Sequence, residues 1–180
     1  MIHHITSTLP TFKSLTFRPG LNLILADKSL GATDRQTRNS AGKSSLIEII
    51  HFLMGGNCDS DSIFRGKTLV DHGFSLGFDL KLQRLNISRT AKTPSRIIVD
   101  ASNPSWPIQP KLNKKNGETR LSNSNWKTVL GSQVFDLHVD EESYGPTFRS
   151  MFSYFVRRDS AVGFHTAHEY AKKQNKWTVQ

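Results

Sequence analysis

The spacing of apolar residues changes period along this chain, and each change predicts a different element. In "FKSLTFRPGLNLILAD" (Phe12 to Asp27) two short apolar stretches flank the turn signal "RPG", which predicts two strands, the second a buried one over Leu21 to Ala26. The polar segment "KSLGATDRQTR" that follows reads as a surface loop. In "GKSSLIEIIHFLMGG" the residues Leu46, Ile49, Ile50 and Leu53 recur at helical spacing, and Gly55-Gly56 marks the stop. From Phe74 to Asp100 the period drops to two (Phe74, Leu76, Phe78, Leu80, Leu82), the pattern of half-buried antiparallel strands. "ASNPSWPIQPKLNKKNGETRLSNSN" is rich in Pro, Asn, Ser and Lys and reads as loop with room for one more strand or hairpin. Two helices close the pattern. "NSNWKTVLGSQVF" is capped by Ser122 or Ser124, and "GPTFRSMFSYFVRR" has Pro146 at its start and Phe148, Met151, Phe152 and Phe155 on one core-facing side.

Composition narrows the setting. At 180 residues, with 36% hydrophobic and 22% charged residues, the chain suits one well-buried globular domain. The single cysteine, Cys58, excludes an internal disulfide and a cysteine-based metal site, so a reducing cytoplasm is the expected compartment. No apolar run reaches the roughly 20 residues that span a bilayer, and "MIHHITSTLPTFKS" lacks the basic and apolar regions of a secretory signal; no membrane partner is expected. The formal charge of +9 favours a polyanionic partner such as nucleic acid. An acidic partner or an acidic remainder of a larger protein would balance it equally well.

The chemistry concentrates in "TRNSAGKSSLIEII" (Thr37 to Ile50). Glycine, lysine and serine at 42–44 follow an apolar run and open an apolar helix, the context of a phosphate-binding loop, although Thr37 stands where the first glycine of G-x-x-x-x-G-K-[ST] belongs. Phosphates at a helix start meet free N–H groups and the positive end of the dipole. In this reading Lys43 pairs with the β- and γ-phosphates, Ser44 offers its hydroxyl to Mg²⁺, and backbone N–H groups of Asn39, Ser40, Ala41, Gly42, Lys43, Ser44 and Ser45 surround phosphate oxygens. The alternative is a lysine and serine that merely begin a surface helix.

These residues also resemble a family. "FKSLTFRPGLNLILAD", with "RNSAGKSSLIEIIHFLMGG" after it, is similar to the N-terminal head segment of SMC, RecF and RecN-type ATPases, the ABC-like branch of P-loop proteins. More narrowly it resembles a bacterial coiled-coil ATPase subfamily with "ADK" after the strand and "IEIIHF" in the helix, relatives of which occur in anti-phage defence loci. The resemblance implies an α/β fold, a P-loop NTPase N-terminal lobe of ABC-ATPase type: a P-loop core over 1–58, an antiparallel β region over 59–120 and a helical region over 121–180 leading toward a coiled coil. It implies ATP and Mg²⁺ as cofactors, and a C-terminal lobe or second head, and DNA, as partners. It places Lys13 and Ser14 near the base or phosphates and makes Arg65, in "SIFRGKTLVDHG", the arginine that reaches nucleotide or DNA; a backbone turn and a solvated arginine are the respective alternatives. It also puts Arg157 and Arg158 where such heads carry a Q-loop glutamine, so the standard Q-loop role is in doubt.

Hydrolysis needs a further acidic element, an apolar strand ending in Asp and usually Glu. Asp100 in "RIIVDAS" lacks the glutamate, and Asp140-Glu141 in "VFDLHVDEE" follows a run interrupted by Asp136 and His138, so no catalytic residue is assigned. With no signature sequence in view either, the chain is expected to be one lobe of a split ATPase head. It would bind nucleotide alone and turn it over only when completed and dimerised, in DNA repair, DNA maintenance or defence. The competing class is a basic nucleic-acid- or protein-binding module with a degenerate nucleotide site; a small P-loop kinase is disfavoured by the antiparallel region. His165, His168 and Glu169 read as a solvated helix start rather than a metal site. The lysine groups at 111, 114, 115 and at 172, 173, 176 read as solvated faces or phosphate contacts.

Overall fold

The computed structural model describes residues 1–24, 43–138 and 145–158. These described residues form a mixed α/β fold of three helices and a seven-stranded antiparallel sheet. The strands are β1 (Ile2–Ser7), β2 (Leu15–Thr16), β3 (Gly73–Leu80), β4 (Gln83–Thr90), β5 (Arg96–Val99), β6 (Lys111–Leu112) and β7 (Thr119–Ser122), in the order β2-β1-β3-β4-β5-β7-β6. The helices are α1 (Lys43–Leu53), α2 (Asn123–Phe135) and α3 (Phe148–Phe155), with a short 3₁₀ turn at Ile63–Arg65.

The period-two region forms the centre of the sheet. β3 and β4 pair over their full lengths from Gly73↔Thr90 to Leu80↔Gln83, so one residue parity supplies the core face: Phe74, Leu76, Phe78 and Leu80 on β3, Leu85 and Ile87 on β4, Ile97 and Val99 on β5. The hairpin that the Pro/Asn-rich segment had room for is β6–β7, closed by Asn113 N–H to Glu118 O (2.7 Å) and by Gly117 at φ +72. Asp100 lies in this antiparallel region and accepts from Asn86 N (2.8 Å) and Asn86 Nδ2 (2.6 Å), an ordinary sheet-end contact.

α1 covers the core face through Leu46, Ile49, Ile50, Phe52 and Leu53, all buried. At about 1.5–3 kcal/mol for each such side chain withdrawn from water, this stripe holds the helix down. Phe52 stacks on Phe64 (4.3 Å between centroids), and both meet the edge of Phe74. Ser122 caps α2 by accepting from Asn125 N (3.1 Å), and Thr147 with Ser150 forms a capping box at α3, so Pro146 precedes the cap rather than opening the helix.

Two expectations need correcting. The strand expected over Leu21 to Ala26 is not formed over 21–24: Leu21, Leu23 and Ile24 are 96%, 75% and 40% exposed. No strand among the described residues pairs with them, and an unpaired run has no face to bury; residues 25 and 26 lie outside the described residues. Phe155 is 69% exposed: it ends α3 and lies against Phe135 (6.0 Å between centroids), while Phe148 and Phe152 carry the helix's contact with the core. Among the described residues no helix is long and apolar enough to cross a membrane.

Candidate nucleotide-binding cleft

The end of α1 explains how its beginning is held. Five consecutive carbonyls at its C-terminal end, which no helical N–H can reach, each receive a side-chain donor. Arg89 donates to Phe52 O and, at 2.8 Å, to Gly56 O; Trp126 Nε1 donates to Leu53 O (3.0 Å), Arg149 to Met54 O (3.0 Å) and Asn123 Nδ2 to Gly55 O (3.2 Å). Gly55 at φ +79 turns the chain, and Gly56 N–H closes back on His51 O (2.8 Å); a Cβ on Gly56 would stand 2.6 Å from that same oxygen. Two guanidinium groups also oppose the negative end of the helix dipole.

A cleft of about 1070 Å³ runs along the side of α1, from Ser44 and Ser45 in its first turn to Gly56 and Asn57 beyond its last. Ser44, Ser45 and Glu48 of α1 line one wall, Gly56, Asn57, Asp59 and Asp61 a second, and Arg149, Ser153, Arg157 and Arg158 the third. Arg158 pairs with Glu48 (3.2 Å), tying the chain after α3 to α1 one turn beyond Ser44. Burial, then the neighbouring Arg158 and Arg89, lowers the Arg149 guanidinium to about 10, still fully charged near neutrality. His51 joins the same layer: Nε2 lies 2.7 Å from Val156 O, which only accepts, so Nε2 carries the proton and Nδ1 accepts from Arg149 at 2.7 Å.

Burial, reinforced by Arg149 and Arg158, pushes His51 down to about 4. The folded chain therefore holds it neutral while the unfolded chain protonates it near 6.5, so its contribution is complete above pH 6.5 and drains away as pH falls toward 4. Folding stability measured by urea unfolding is expected to drop by on the order of 1–2 kcal/mol from pH 7 to pH 5, and His51→Gln should flatten most of that slope. An unchanged slope would mean that other groups set it.

The structure brings Ser44 and Ser45 to the cleft and starts α1 at Lys43; Asn39, Ser40, Ala41 and Gly42 lie outside the described residues. Lys13 and Ser14 are exposed before β2 and are not among the cleft-lining residues. Arg65 is exposed and turned toward Cys58 O, to which its Nε donates at 3.3 Å, while its neighbours Ser62 and Ile63 line the cleft instead. Arg157 and Arg158 do line it. Asp136 caps α2 in a left-handed conformation (φ 51) rather than interrupting a strand, and Asp140, Glu141 and the His165/His168/Glu169 group lie outside the described residues. Glu48, Arg149 and His51 were not singled out from sequence. The available signal was position: Glu48 stands one turn after Ser44, on the same side of the helix.

No match emerges from the comparisons. No protein-family model, curated protein or solved structure is significantly similar to the chain. The functional reading therefore rests on the cleft and on the motif that opens it.

Proposed function

We propose that the chain is the ATP- and Mg²⁺-binding N-terminal lobe of a split ATPase head of SMC/RecF-like, P-loop type. The observation that carries this reading is the cleft along α1, lined by Ser44 and Ser45 of its first turn together with Arg157 and Arg158. A triphosphate suits such a wall, since helix-start N–H groups and guanidinium groups both favour phosphate oxygens. Among the described residues no group of three His, Cys, Asp or Glu could hold a metal by itself. Mg²⁺ takes one or two protein oxygens and completes its shell with phosphate and water; Ser44 is the protein ligand in this reading. The exposed Leu21, Leu23 and Ile24 support a complementing lobe or second head that pairs with this run, and in this reading hydrolysis belongs to the completed, dimeric, cytoplasmic assembly.

Equilibrium binding of a fluorescent ATP analogue, with and without Mg²⁺, tests the reading. Lys43→Ala is expected to weaken binding at least about tenfold, the loss of one good charge-assisted contact, and the isolated chain to show negligible turnover. Equal binding by both proteins would remove Lys43 from the site, and rapid turnover would mean that a catalytic carboxylate resides in this chain. The second reading, a basic binding module without nucleotide chemistry, is favoured by one observation, the unbalanced cations on the open face of the sheet. Nucleic-acid binding indifferent to ATP and to Lys43→Ala would select it.

A further inference from the structure

Among the described residues the sheet has one face under the helices and one open face, and strand register fixes what the open face carries. One straight row crosses six strands: Thr6↔Ser75, Ser75↔Ser88, Ser88↔Ile98, Ile98↔Arg120, Arg120↔Lys111. Hydroxyl groups fill its β1–β3–β4 end and cations its β7–β6 end. Arg96 pairs with Ser122 on the same parity as Arg120, so it sits diagonally from Arg120, roughly 7–8 Å away. Lys114 and Lys115 follow in the β6–β7 turn. None of Arg96, Lys111, Lys114, Lys115 and Arg120 makes an ion pair with a described residue.

Directly opposed like charges destabilise a strand pair, so Lys111↔Arg120 is a cost to the fold. A lysine on an edge strand discourages edge-to-edge aggregation, and β6 is an edge, which accounts for Lys111. Edge protection does not account for Arg120 or Arg96, because β7 and β5 have neighbours on both sides. We infer that the open face of the sheet binds the phosphodiester backbone of a nucleic acid, with Arg96, Arg120 and Lys111 on β5–β7–β6 contacting phosphates and the Ser/Thr row on β1–β3–β4 donating to phosphate oxygens further along it. A strand carrying a negative charge about every 3.4 Å supplies several partners to cations spaced this way, and most backbone contacts in known complexes come from such Arg, Lys and hydroxyl donors. The row offers one apolar side chain, Ile98, half-buried, which gives a lipid surface little to hold. This surface does not depend on the cleft reading.

The full chain is titrated with labelled single- and double-stranded oligonucleotides over a range of salt. The variant Arg96→Gln/Lys111→Gln/Arg120→Gln is expected to bind at least about tenfold more weakly and to lose about 2–3 from the slope of log affinity against log salt. A control variant, Arg18→Gln/Lys67→Gln/Lys92→Gln, removes the same charge from other exposed positions and is expected to keep both. Lys111→Glu alone should weaken binding while leaving the melting midpoint unchanged or higher, since it turns a repulsive pair into an attractive one. Equal losses in the test and control variants, no oligonucleotide binding by the unaltered chain, or binding confined to phosphatidylserine vesicles would each overturn the inference. Loss of the cleft's ATP binding with the salt slope intact would leave it standing.

Discussion

Replacing Arg89 by Met is expected to remove about 3–5 kcal/mol of folding stability, read as a fall in urea midpoint. Arg89 is 2% exposed and, among the described residues, makes no ion pair with a carboxylate. Its guanidinium lies 4.3 Å over the Phe52 ring and donates to Phe52 O, to Gly56 O and twice to Pro94 O, at 2.8 and 2.5 Å. Burial alone lowers it to about 10, so the charge is retained inside the fold. Where a buried ion pair is exchanged for apolar residues, both polar partners can leave together and the change is often neutral. Here the acceptors are backbone carbonyls, which no side-chain substitution removes, so Met would leave them buried and unpaired at about 1–3 kcal/mol each, less the relief of not burying a charge. Arg89→Lys should recover part of the loss, because an ammonium group cannot span carbonyls on both sides. Against a typical reserve of about 5–15 kcal/mol, the Met variant would be marginal. A change below about 1 kcal/mol would mean that water reaches those oxygens.

Trp126→Ala is expected to cost a similar about 3–5 kcal/mol, for a different reason. Trp126 is fully buried, with Phe78 and Trp106 at 6.4 and 6.2 Å, and its truncation opens a cavity between α2 and the sheet that the rigid strands cannot close. Trp126→Phe separates the two contributions: it keeps most of the volume but removes the indole N–H from Leu53 O, and should cost about 1–3 kcal/mol. If Phe proved as damaging as Ala, the hydrogen bond would outweigh the packing.

Much of this fold was legible because it obeys a period. Leu46, Ile49, Ile50 and Leu53 announce α1, and Phe74 to Leu80 announce β3, since each set buries one face. Leu82 breaks the same series: it sits in the β3–β4 turn, fully exposed, where alternation no longer decides orientation. Leu21 to Ile24 misled because an apolar run reports a wish for burial, while forming a strand also requires a neighbour. Arg89 could have been found, since Leu85, Ile87 and Arg89 share one parity and the last must point inward. What no spacing conveys is that two of its acceptors, Phe52 O and Gly56 O, lie more than thirty residues away, because carbonyl oxygens leave no trace in side-chain pattern. The cleft was half legible: Ser44 and Ser45 came from the motif, whereas the Glu48–Arg158 pair depends on how α3 returns to α1.

The donors at the end of α1 also constrain the order in which the chain can fold. Arg89 reaches back 33 and 37 residues, Asn123 68, Trp126 73 and Arg149 95. The helix can nucleate early from its own sequence, yet its last turn stays incompletely bonded until β4, α2 and α3 have all arrived. Final docking is therefore a long-range step, slow to close and hard to reach by halves. A fragment that stops short of α3 would carry α1 as a helix with a frayed base, and the geometry at Ser44 would be only as firm as that base.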